Sequence, residues 1–284
     1  KVYMPFVKKE REMNIFFYVI IFAMGITFGS FYTLAVYRIP KGQDITHTHS
    51  YCPNCNHKLG ILDLIPVFSY IFLGAKCRYC KQKIRPRYFI LETISGIFFV
   101  ILAYLMKLSV YNLQITQIVE YGFLILYFTF IILVAGIDKE NRTINKPILM
   151  YGIIISIMYI VYLYIIEKTS IYRYVIYLIL FILLLIIDCF NLRKNAKNNY
   201  NISVLILILV MTIFTSEYVV IVTIITTIVA VLISNLIKIS RKPKSVIIER
   251  NKKIINVAYY LSLFNIVCFV LHKIIINFYG IQLL

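Results

Sequence analysis

Long apolar runs separated by short, mostly basic segments set the pattern of this 284-residue chain. Eight runs read as helices, at about 14–37, 88–106, 117–137, 147–166, 171–190, 202–215, 218–237 and 254–279, the sixth being the shortest. Several exceed the roughly 18 apolar residues that mark a bilayer-crossing helix, so one cleaved signal peptide does not account for the pattern. The fold expected is an all-α polytopic membrane protein of about eight transmembrane helices. One long polar stretch, 38–87, interrupts it between the first two runs. This divides the chain into an N-terminal tail with the first helix (1–37), a compact polar insert (38–87) and a multi-helix membrane domain (88–284). Met13 directly precedes the first run and offers an alternative start.

Composition sharpens the class. Hydrophobic residues make up 61%, charged residues only 15%, and mean hydropathy is +0.84, well away from the balance of a soluble domain. The net charge of +18 raises the question of nucleic acid, but its placement answers it. Of the 30 Lys and Arg residues, 22 fall in 38–87, 138–146, 191–201 and 238–253. Those segments share one side of the membrane if the eight runs alternate. Cytoplasmic loops collect Lys and Arg in this way, which places the insert in the cytoplasm and argues against a nucleic-acid partner.

The insert holds two Cys-x-x-Cys pairs, Cys52/Cys55 and Cys77/Cys80, spaced like the knuckles of a four-thiolate zinc ribbon. Two intervening residues let both sulfurs turn toward one ion, and two knuckles complete a tetrahedron with no open position. The expected zinc is therefore structural, holding together an insert too small to build much core. Two disulfides or free thiols are the alternative, which a reducing cytoplasm disfavours. With four cysteines present, His57 is expected to be solvated or beside the ligands. Cys189 and Cys268 lie in apolar runs and read as buried packing, and His47 and His49 have no ligand cluster around them.

From Gly25 to Glu92 the residues form a recognisable order. Gly25-x3-Gly29-Ser30-Phe31, Arg38-Ile39-Pro40, Ser50-x-Cys52-Pro53-x-Cys55, Asp63-x-Ile65-Pro66-x2-Ser69-Tyr70, Gly74, Cys77-x2-Cys80 and Ile84-x2-Arg87-Tyr88-x3-Glu92 resemble the type IV prepilin peptidase family. The resemblance implies an eight-helix membrane aspartic protease of the bacterial inner membrane. Its substrates would be prepilins or pseudopilins of pilus, secretion or competence systems. It also implies cleavage of a basic leader after glycine and, in many members, methylation of the new N-terminus with S-adenosylmethionine. Two aspartates do the cutting in that family, one after the third membrane helix and one in a Gly-x-Gly-Asp motif before the sixth.

Chemistry asks for the same pair, since one ionised carboxylate must activate water while one protonated carboxyl donates to the carbonyl and leaving amine. Asp138, in AGIDKENRTINKPI, fits the first position by its place after the third run and by Ile144 six residues on, although Asn145 stands where the family usually has proline. The second position departs. Asn198-Asn199-Tyr200-Asn201 replaces Gly-x-Gly-Asp, and Asn201 has no carboxyl for proton exchange. Asp188, inside the fifth run, is the substitute candidate because an acid within a span is costly; snorkelling or pairing with Arg193 is its other reading. Glu92, at the start of the second run, reads either as a tertiary or substrate-facing group or as a helix cap.

Three functions therefore stand: an active prepilin peptidase, a relative that methylates without cutting, and a metal-stabilised scaffold in pilus or competence assembly.

Overall fold

Apolar residues with helical periodicity do form helices throughout, and the computed structural model describes residues 3–47, 49–166, 171–194, 200–240 and 256–280. Nine α-helices are found among the described residues. They are α1 (Tyr3–Arg38), the short α2 (Phe68–Phe72), α3 (Arg87–Leu105), α4 (Ile115–Asn141), α5 (Lys146–Ile165), α6 (Ile171–Lys194), α7 (Tyr200–Phe214), α8 (Glu217–Ser240) and α9 (Val257–Tyr279). Apart from α2, each answers to one of the eight apolar runs. Six are long and apolar enough to cross a membrane, and two shorter apolar stretches, Tyr172–Ile187 and Tyr200–Phe214, lie in α6 and α7. No strand is formed among the described residues, only two isolated bridges in the insert.

The chain divides into two compact units, Lys1–Gly122 and Phe123–Leu284. The division falls within α4, because α3 packs on α1 and so joins the N-terminal unit.

In that first unit α1 and α3 run antiparallel. Gly25 faces Gly96 and Gly29 faces Glu92, while near the other end Tyr18 donates to the Leu108 carbonyl (2.9 Å) and Asn14 accepts from Ser109 (3.0 Å). The glycine spacing Gly25-x3-Gly29 is what permits the approach. A Cβ at Gly29 would sit 2.7 Å from the Glu92 Cα, and one at Gly25 would sit 2.7 Å from the Gly96 Cα. Apolar attraction does not drive helices together in lipid, so close backbone packing of this kind has to.

The second unit is built around aromatic contacts. Tyr127 stacks on Phe214, which stacks on Tyr159, both pairs with centroids 4.7 Å apart. Gly152 leaves room for the Phe130 ring, which a Cβ would meet at 2.5 Å. Tyr127 and Asn265 are fully buried, and the phenol donates to the Asn265 amide oxygen at 2.6 Å. Buried polar groups of this sort need partners within the bundle because lipid offers none.

Candidate functional sites

The insert begins with a latch. Arg38, buried at the end of α1, donates to the backbone carbonyls of Asp44 (3.0 Å) and His49 (3.2 Å), and a left-handed Gly42 turns the chain away from the helix. Two similar knuckles follow. In the first, Cys52 N–H donates to the His57 carbonyl, Asn56 N–H to the Cys52 carbonyl, and Tyr51 bridges Lys58. In the second, Cys77 N–H donates to the Gln82 carbonyl, Lys81 N–H to the Cys77 carbonyl, and Lys76 bridges Lys83. Asn56 and Lys81, each directly after the second cysteine, both take a positive φ (56° and 59°), so the two loops repeat one fold.

These knuckles bring the four sulfurs of Cys52, Cys55, Cys77 and Cys80 within 4.8 Å of one another, and no disulfide joins them. A tetrahedron of bonds near 2.3 Å places sulfurs roughly 3.8 Å apart, and Cys52 Sγ lies 3.8 Å from Cys80 Sγ. The donor set therefore fits a closed four-thiolate metal site. Its protons are already unevenly held. The Gln82 N–H, with the Asn54 amide 3.6 Å away, lowers the Cys80 thiol to about 6. At Cys55 the His57 N–H favours the thiolate, but desolvation and the sulfurs of Cys52 and Cys80 outweigh it and push the thiol up to about 11. A cation between them would remove that mutual repulsion. His57 is not part of the cluster, and its ring lies against Tyr79, tilted by 33° with centroids 3.6 Å apart. Arg78 ties the second knuckle to the intervening segment through Asp63 (2.7 Å).

Glu92 closes the insert onto α3. Its carboxylate accepts from the Val67 N–H at 2.7 Å and also takes a hydrogen bond from Ser30. Val67 sits in a γ-turn (φ 65°, ψ −53°), with Phe68 N–H donating to the Pro66 carbonyl at 2.7 Å. A positive φ is costly for a β-branched residue, and the buried bond to Glu92 offsets that cost. Glu92 is thus placed as a tertiary anchor, not as a free helix cap.

In the second unit the sequence-predicted acid Asp138 lies near the end of α4 and is fully buried. Tyr200, the first residue of α7, donates its hydroxyl to Asp138 Oδ1 at 2.9 Å and accepts the Ala258 N–H at 3.0 Å. Tyr259 N–H donates to Asp138 Oδ2 at 2.8 Å. Asn256, the residue before α9, donates its side-chain amide to the main-chain carbonyls of Asp138 (2.7 Å) and Lys139 (3.2 Å). One carboxylate and one phenol so satisfy N–H groups at the start of α9, where orphan donors and the helix dipole favour negative charge. Lys139 lies over the Tyr259 ring at 5.1 Å.

Asn201, at the position expected for the second acid, is exposed; its neighbour Tyr200 is the residue that reaches Asp138. Of the other acids of this unit with described side chains, Glu140 is exposed and Glu217 pairs with Arg173 (2.9 Å). Asp188 lies on α6, and its side chain falls outside the described residues. Sequence reasoning missed Tyr200 and Asn256. The only signal for Tyr200 was an aromatic hydroxyl within the altered motif, and Asn256 gave none.

A polytopic α-helical membrane protein with a four-cysteine module after its first helix and a buried aspartate at the end of a span is the class these features define. Residues 23–106 match the family model of the bacterial peptidase A24 N-terminal domain. The chain is 29% identical over 147 residues to a prepilin leader peptidase/N-methyltransferase of Klebsiella pneumoniae, covering 48% of this chain and 60% of that protein. Proteins of the same name from Myxococcus xanthus and Vibrio cholerae are each 37% identical, over 83 and 84 residues, covering 25% and 33% of their lengths. The chain thus spans 60% or less of these relatives. No solved structure matches. The similarity is thus strongest over the N-terminal part of the chain, where it is to the bacterial peptidase A24 N-terminal domain and to prepilin leader peptidase/N-methyltransferases.

Proposed function

We propose that the protein processes type IV prepilins or pseudopilins at the bacterial inner membrane, with the cysteine module facing the cytoplasm and holding one structural zinc ion through Cys52, Cys55, Cys77 and Cys80. The observation that carries the reading is the buried Asp138 carboxylate, oriented by Tyr200 and the Tyr259 N–H at the end of an apolar span. Hydrogen bonds to both oxygens hold the carboxyl in one orientation, from which its ionised form would activate water. A proton donor is still needed for the leaving amine, and Asp188 is the candidate. A prepilin's apolar helix would lie against the bundle and present its leader to this acid. N-methylation with S-adenosylmethionine goes with the names of the relatives.

A second reading, recognition or methylation without cutting, is favoured by one feature: Asn201 carries no carboxyl, and Tyr200 fills the space toward Asp138. Co-reconstitution with a prepilin, followed by mass spectrometry of its N-terminus, separates the readings. Leader loss supports the first, and methyl transfer or stable binding without leader loss supports the second.

A further inference from the structure

The segment between the two knuckles is unlike the rest of the insert. From Ile61 to Phe72 it exposes large apolar side chains, with Ile61 and Phe72 more than four-fifths open and Leu62, Ile65, Phe68 and Ile71 also exposed. A polar insert in water would bury such a ridge. The only acid in it, Asp63, is taken up by Arg78.

Its height is fixed by α3. That helix has 19 residues, or about 28 Å, so all of it is needed to cross a hydrocarbon core of about 30 Å. Glu92 is its sixth residue, about 7–8 Å along the axis from Arg87. Val67 bonds directly to Glu92, and Tyr70 stacks on Phe89 at 5.1 Å, so the ridge is held beside the first two turns of a membrane span. Part of the backbone there is satisfied within the protein. Asp63, Leu64, Val67, Phe68, Ser69 and Ile71 place their N–H groups on protein acceptors, which suits a low-dielectric setting. Exposed Lys76, Lys83 and Arg85 follow immediately in the chain, where lipid headgroups would meet them.

We propose that Ile61–Phe72 is a membrane-embedded ridge. It inserts its apolar side chains into the lipid at the boundary between headgroup and acyl chain, and so fixes the cysteine module against the bilayer. The ridge is a lipid-binding surface in its own right, and it stands whether or not the protein cuts a prepilin.

The chain contains no tryptophan, so a single introduced indole reports its own surroundings. Phe72→Trp and Ile61→Trp, both at open positions, are compared in vesicles of anionic and zwitterionic lipid with Ile94→Trp, an exposed site on α3. The expected result is blue-shifted emission from both ridge positions. Lipids brominated near the headgroup should quench it more than lipids brominated near the chain end, and aqueous acrylamide should do little. Emission typical of water, quenched by acrylamide and untouched by brominated lipid at both positions, overturns the proposal. So does lipid-independent shielding that arises only when a prepilin N-terminal peptide is added, which would make the ridge a protein-docking surface.

Discussion

Replacing Tyr200 by phenylalanine removes one oxygen and leaves the ring. That oxygen donates to Asp138 Oδ1 at 2.9 Å and accepts the Ala258 N–H at 3.0 Å, and Asp138 is fully buried. A hydrogen bond to a charged group contributes about 1.5–3 kcal/mol, and leaving a buried group unsatisfied costs about 1–3 kcal/mol. Asp138 keeps the Tyr259 N–H, and a slight shift lets it take part of the Ala258 N–H. The expected net loss is therefore about 1–3 kcal/mol. Unfolding in mixed detergent micelles, followed by titrating the denaturing detergent, measures it. Hydrogen exchange locates it, because faster exchange should concentrate at Ala258 and Tyr259, the first turn of α9. In a double-mutant cycle with Asp138→Asn the two losses should couple, since the residues share one network. Unchanged stability within about 0.5 kcal/mol, together with unchanged exchange at those two amides, would refute the reasoning.

Other outcomes follow from the first unit. One zinc ion per chain, with zinc–sulfur distances near 2.3 Å by X-ray absorption, is expected, and Cys52→Ser should lower its retention and make the insert sensitive to protease. Glu92→Ala should cost about 1.5–3 kcal/mol by leaving the Val67 γ-turn without its acceptor; limited proteolysis near residues 66–68 checks it, and Glu92→Gln should recover part of the loss. Gly29→Val should separate α1 from α3, because even one Cβ would sit 2.7 Å from the Glu92 backbone, and the folded yield from membranes should fall. Asp63 is held below its ordinary carboxylate range: burial opposes this, but Arg78, the Gly60 N–H and Tyr79 outweigh it. A lowered folded-state value means its stabilisation is complete above the ordinary aspartate value of about 3.9 and is lost as pH falls through the folded value. Asp63→Asn should flatten the acid limb of insert stability.

Much of this was legible in the chain because membrane helices and metal knuckles write their constraints locally. Apolar runs of bilayer length have few alternatives to helix, and Cys-x-x-Cys fixes its own loop. What stayed hidden depends on contacts distant in sequence. Glu92 could be read as a cap or an anchor until Val67, 25 residues earlier, supplied its partner. Asp138 was identifiable as the acid at a span's end, but its union with residues 62 and 121 positions away left no local pattern. The altered motif drew attention to Asn201, whereas the side chain that reaches the aspartate belongs to Tyr200. A one-residue step around the start of a helix turns a side chain by about 100°, enough to make that exchange.

The central claim is that Asp138 acts on a prepilin leader. Its most direct test incubates the purified protein in lipid with a prepilin and follows leader removal for wild type and Asp138→Asn. The account predicts removal by wild type and none by Asp138→Asn, with both proteins retaining zinc. Equal cleavage by the two, or intact substrate bound to a folded wild-type protein, would contradict it.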